Sequence, residues 1–247
     1  MAKQRINNSA KESVKKKKFV KFLKWALVII FLLLLNIYIV LRFVYKEKSF
    51  TVYLENEEYT IEHNLTIYEN SENKRPRKFL TADVLDSFSN ISMDWLPENI
   101  HQEAEGSHNG NNYIAYTFYA ENQGHETINY HTEIVLDDVI REVDEAVRVI
   151  VYKNDQKTIY AKTSKATGLP EEGTKPFVDE DTIMLETTYN FKVGDIDKYT
   201  VVIFVEGNDP ECTDTLIGGE IGLHMTLREE QLPDPEPGEE PEESENN

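Results

Sequence analysis

The stretch Thr127–Leu136, TINYHTEIVL, decides how this chain is to be read. Ile128, Tyr130, Thr132, Ile134 and Leu136 alternate with Asn129, His131 and Glu133. Successive side chains of a strand point to opposite faces, so this period of two predicts a half-buried strand with the first set inward. The residue types agree, because β-branched and aromatic side chains suit a pleated surface.

The same reading extends outward along the chain. YIAYTFYA (113–120) is a strand by content, joined to 127–136 by the turn ENQGHE, in which Gly124 is free to take positive φ. VRVIVYKNDQKTIYAK (147–162) predicts a hairpin with Asn154-Asp155 at its tip. IMLETTY (183–189) is a further strand, and FKVGDIDKY (191–199) is a turn. That turn feeds YTVVIFVEG (199–207), whose continuous apolar run predicts a central strand. EIGLHMTLR (220–228) closes the set, with Ile221, Leu223, Met225 and Leu227 inward. Residues 138–146 suit a short helix or an extended turn. No long amphipathic helix interrupts the series, which predicts an antiparallel β-sandwich, Ig-like or jelly-roll-like, over 113–228. Residues 46–112 read as a strand-poor approach to it: one or two strands before residue 70, a loop at 70–78 and a polar loop at 96–112.

The two ends differ in kind. Trp25–Leu41, WALVIIFLLLLNIYIVL, is 17 residues without a charge. At about 1.5 Å per residue, 17–21 residues cross roughly 30 Å of hydrocarbon, so 19–45 is read as a transmembrane helix in contact with the lipid bilayer. Residues 1–24 hold nine Lys or Arg against the single acid Glu12. By the positive-inside rule the basic segment 1–18 lies in the cytoplasm and the rest outside. No small-residue cleavage pattern follows the apolar run, which favours an uncleaved anchor over a signal peptide. At the other end, EEQLPDPEPGEEPEESENN (229–247) has four prolines, nine acids and no aromatic residue. It cannot bury a core, and the reading is a disordered acidic tail.

Charge bounds the partners. The chain carries −19 overall, and its basic residues are concentrated before the apolar run. The remainder is strongly acidic and would repel a phosphate backbone, which excludes nucleic acid. An envelope or extracellular protein, a basic surface, or a second copy of the chain remains. The single cysteine, Cys212, rules out an intrachain disulfide. Cysteine poverty in an exported domain points to a bacterial source.

The chain has no HExxH, GxSxG, Walker or GxGxxG motif. The most pointed local feature is EGNDPECTD (206–214), where Asp209, Glu211 and Asp214, with Glu206 and Asn208, offer the oxygen donors that Ca²⁺ prefers. Asn-Asp-Pro is equally ordinary turn chemistry. His125 and His131 lie six residues apart, a spacing that could place both on one strand face.

YTFYAENQGHETINYHTEIVL (116–136), IVYKNDQKTIYAK (150–162) and NFKVGDIDKYTVVIFVEGNDPE (190–211) resemble the TasA/camelysin-like group of Gram-positive exported β-sandwich proteins. The resemblance implies a biofilm-matrix fibre subunit that assembles by strand exchange, or a metal-dependent surface peptidase. The expectation from the residues themselves is a non-enzymatic, membrane-anchored module.

Overall fold

The computed structural model describes residues 21–39, 50–55, 64–85, 87 and 89–230. The basic segment 1–18, the distal part of the expected span and the acidic tail from 231 lie outside the described residues. The chain divides into two units, one up to Glu47 and one from Lys48 onward. In the first, helix α1 (Lys21–Ile39) has 19 residues and a mean hydropathy of 2.4. It is long and apolar enough to cross a membrane, a property that signal sequences share.

The second unit is mainly β. Its strands are β1 (Thr51–Glu55), β2 (Leu65–Tyr68), β3 (Phe79–Thr81), β4 (Gly106–Ser107), β5 (Ile114–Asn122) and β6 (Ile128–Ile140). They continue with β7 (Val147–Lys153), β8 (Gln156–Ala161), β9 (Lys175–Pro176), β10 (Thr182–Phe191), β11 (Ile196–Val205) and β12 (Glu220–Glu230). One sheet runs β10-β6-β12-β1-β3; the other runs β2-β5-β11-β7-β8-β9, with β4 also on β5.

The alternation in 127–136 is realised in β6: Ile128, Tyr130, Thr132, Ile134 and Leu136 are buried, and the residues between them are half-buried. They share one core with Tyr116, Phe118, Val149, Val201 and Ile203 of the other sheet and Leu223, Met225 and Leu227 of β12. Ile221 is only partly buried, because a bulge between Gly222 and Leu223 breaks its register.

The β11 run is central in its sheet, as its apolar continuity requires. Its other face carries a second core of Ile150, Tyr152, Val202 and Phe204, covered by Ile91, Ile100, Met93, Leu96 and Tyr113. The polar-looking segment before Tyr113, including helix α2 (Ile100–Glu103), is therefore a lid on the sheet. A strand buried on both faces has no reason to alternate.

Three expectations change. Residues 46–112 are short of strand but more than an approach: β1, β2, β3 and β4 are members of the two sheets. The sheets are not purely antiparallel either, since β1 pairs with β12, and β8 with β9, in parallel. A tight hairpin forces antiparallel pairing. β1 and β12 come from opposite ends of the unit, so no turn sets their direction. Finally, Glu229 and Glu230 belong to β12 and not to the tail. Glu229 Oε2 accepts from the backbone N–H of Asn64 and Leu65 (3.3 Å each), and its Oε1 accepts from Asn64 Nδ2 at 2.7 Å.

At the turns, Asn154 and Asp155 both have positive φ (50° and 67°), the geometry of a tight β-hairpin. Gly124 is needed for a different reason than expected. A Cβ there would lie 1.7 Å from Asn64 Oδ1, so the site demands space and not a left-handed backbone.

Five tyrosines donate their phenol hydrogen to a carboxylate: Tyr68 to Glu121 (2.8 Å), Tyr116 to Glu69, Tyr119 to Glu105 (2.8 Å), Tyr130 to Asp197, and Tyr160 to Glu186 (2.8 Å). Burial first, and then the adjacent carboxylate (for Tyr130, Tyr199 and then Asp197), pushes Tyr119 up to about 12 and the other four further.

Two predictions follow from these bonds. A phenol that holds its proton more firmly in the folded than in the unfolded chain contributes stability below its ordinary pKa of about 10, and loses it as the pH rises beyond. Stability should fall above pH 10, and absorbance near 295 nm should show these phenols ionising together with unfolding; independent titration at ordinary phenol pKa would contradict the assignment. Separately, E229A removes three hydrogen bonds to a charged acceptor and should cost about 1–2 kcal/mol in urea denaturation.

Candidate functional site

The loop 206–214 leaves β11 and folds over the end of β7. Most of its polar groups are committed to holding it there. Glu206 Oε2 accepts from Met93 N–H at 2.9 Å, and its Oε1 from Asn208 N–H at 2.8 Å. Asn208 Nδ2 donates to Ser92 Oγ at 2.9 Å. Asp209 Oδ1 accepts from Glu211 N–H at 2.8 Å, and its Oδ2 pairs with Arg148 of β7. Both members of that ion pair are buried.

Asp209 and Glu211 do come together, as their spacing suggested. Their third neighbour is not Asp214 but Glu171, from the connection between β8 and β9. The three carboxylates place one oxygen each within 4.8 Å of one another. Asp214 instead opens an exposed 3₁₀ turn, Asp214–Leu216, which takes it away from the other two. Glu171 lies 38 residues before Asp209 in the sequence, so no local pattern could have nominated it.

The electrostatics of the group are those of a coupled pair. Burial pushes the Asp209 carboxyl up, and its contact with Glu211 adds to this. The Glu211 carboxyl is held down, chiefly by its bond to Asp209 and then by Ser164 and Lys165. Glu211 Oε1 accepts from Ser164 Oγ (3.1 Å) and Lys165 N–H (3.0 Å). Its Oε2 is sealed from solvent without a further partner. Two adjacent carboxyls of this kind titrate as a unit. The arrangement can share a proton or hold one hard cation, and Arg148 already supplies one positive charge to it.

The other expected ligands are separate. His131 Nδ1 lies 2.9 Å from Thr187 Oγ1 on β10, while His125 is exposed in the turn before β6. Among the described residues, Glu171, Asp209 and Glu211 are the one group of three such donors close enough to share an ion. Cys212 is half-buried at the edge of the core and accepts from Asn90 Nδ2 at 3.1 Å.

A second polar cluster joins the two sheets. Asp197 of β11 accepts from Tyr130 of β6 and from Asn154 Nδ2 at 2.5 Å, and pairs with Lys153 Nζ at 3.1 Å. Lys153 also donates to Thr188 of β10 and lies over the rings of Tyr130 and Tyr199, 5.3 and 5.5 Å from their centroids. No sequence signal marked this cluster, because its members come from four strands.

No family model matches the chain, and no curated protein matches it. Two crystal structures of β-glucosidase from Kluyveromyces marxianus, one in complex with glucose and one Se-Met labelled, are similar over 65% and 66% of this chain. Identity is 12% and 13%, with TM-scores of 0.22 and 0.23. The matched part spans 15% and 16% of those chains, and likeness of this degree bears on neither fold nor activity.

Removing one partner of a buried ion pair leaves an uncompensated charge, at a cost of about 3–5 kcal/mol. D209N should therefore lower the urea midpoint sharply. D214N, on an exposed turn, should stay within about 0.5 kcal/mol of the native protein. Equal losses in the two variants would refute the placement.

Proposed function

We propose that this chain is a single-pass membrane protein with a cytoplasmic N-terminus. Its β unit is a two-sheet sandwich displayed outside the cell, where it binds an envelope or extracellular partner through surface contact rather than catalysis. The observation that carries the reading is helix α1, an apolar span of 19 residues, set before a separate β unit with its own core. At about 1.5 Å per residue it reaches roughly 28 Å, the thickness of a hydrocarbon core. The basic residues before it supply the orientation.

Two facts support contact over chemistry. The two sheets pack their inner faces into one core, which leaves the outer face of the five-stranded sheet towards solvent while the segment before Tyr113 covers that of the other. The charged groups sequestered within the unit are tied to structural tasks: Asp209 to Arg148, Asp197 to Tyr130 and Lys153, Glu206 to the backbone of Met93. The excess of exposed acids favours a basic protein surface, or a wall polymer bridged by divalent cations, as partner.

Intact-mass and N-terminal analysis of protein from membranes and from medium tests the anchor. Full-length chain confined to membranes, with the β unit removed by protease added to intact cells, is the expected result. A released species beginning after the apolar helix would replace this reading with that of an exported matrix subunit. Full protease resistance in intact cells, with cleavage only after lysis, would reverse the orientation.

A further inference from the structure

We infer that β10 is a self-association edge, along which two copies of this chain pair antiparallel about a two-fold axis and join their five-stranded sheets into one. An edge strand exposes a row of unpaired backbone groups, and proteins protect such edges by keeping them short, adding Pro or charge, or covering them.

Three of the four edges are protected in these ways. β3 has three residues, and β9 has two, one of them Pro176. β2 has four residues, with Arg77 bridged to Ile67 along it and Glu229 capping Asn64 and Leu65 at its start. The fourth edge is β10, with ten residues, TIMLETTYNF, and no Pro, Lys or Arg. Among the described residues, β6 is the one strand paired with it.

Its side chains suit a second copy. In a strongly acidic unit, this ten-residue strand holds a single acid, Glu186. That carboxylate is already paired: its Oε1 accepts from Tyr160 OH at 2.8 Å and, at the surface, from Lys175 Nζ at 3.4 Å. The strand is thus a low-charge strip where two acidic molecules can approach. Leu185 and Tyr189 stand out from it, 53% and 68% exposed.

Bulges after Thr182 and after Thr188 confine the regular ladder to the middle of the strand. Within that stretch one register is self-complementary. Centring the axis on Thr187 sets each Leu185 opposite the partner copy's Tyr189, and each Glu186 opposite a Thr188. Apolar cross-strand pairs of this kind stabilise, and facing like charges do not. The shift that centres on Glu186 would face two glutamates. The contact is isologous and closed, so it ends at a dimer.

The test uses full-length protein in its native membrane, with Cys212 replaced by Ser. Residues opposite each other across an antiparallel pair have Cα atoms about 4.5–5.5 Å apart, within disulfide reach. T187C lies on the proposed axis. Mild oxidation should convert most of it to a species of twice the monomer mass on a non-reducing gel. L185C and Y189C should each stay monomeric alone and cross-link when co-expressed. T226C, on β12 within the same sheet, serves as the collision control. Adding the pair L185K and Y189K to T187C should cut cross-linking at least tenfold while leaving the far-ultraviolet circular dichroism unchanged. T187C cross-linking no better than T226C would overturn the proposal, as would equal linking of L185C alone.

Discussion

The structure depends on how an acidic chain buries carboxylates between two sheets. A carboxylate removed from water without donors costs several kcal/mol. Lys or Arg pairs with four of the buried acids, Glu121, Asp144, Asp197 and Asp209. Tyrosine adds a second kind of donor, to Glu121 and Asp197 among them. Its ring fills core volume while its O–H supplies a donor at the ring's far end. Five such pairs occur among the described residues, and two of them, Tyr130 with Asp197 and Tyr160 with Glu186, join one sheet to the other. These are directional bonds across an otherwise non-directional apolar core. They fix the sheets' relative position as hydrophobic burial alone does not.

Asp197, like Glu121, has three side-chain donors, and it alone of the two joins the sheets. Tyr130, Asn154 and Lys153 all reach it, and Lys153 extends the contact to β10 through Thr188. The cluster joins β6, β10, β11 and β7 with its turn residue Asn154, at the place where the tight hairpin tip brings Asn154 Nδ2 back onto the sheet. Local turn chemistry and long-range packing meet there. The positive φ values at Asn154 and Asp155 turn the chain tightly enough for Asn154 to serve both the turn and Asp197.

How legible this was depends on the range of the interaction. The alternation at 127–136 and the apolar run at 199–207 report which faces are buried, and both readings match β6 and β11. They report nothing about which strand lies alongside. β1 pairs with β12 across the whole unit, and the short apolar alternation that marks a strand near residue 52 says nothing of that partner. Glu229 and Glu230 look like the start of an acidic tail because composition cannot separate an acid in solvent from one that caps a neighbouring strand. The acidic loop shows the same limit. Asp209 and Glu211 are as close as their spacing implies, yet Glu171 completes the group in place of Asp214 through a contact that only the folded chain creates.

The same charge distribution shapes what the surface can do. A molecule with this excess of acid repels its own copies over distances of about the Debye length, roughly 8–10 Å in physiological salt. Close contact between copies is therefore confined to places where the acids are absent or already paired. β10 is such a place because donors from the other sheet already occupy its polar side chains. Tyr160 and Lys175 occupy Glu186, and Lys153 reaches Thr188. The interactions that secure the core thereby leave a low-charge strip at one edge, so stability and the capacity for self-contact arise from one set of residues.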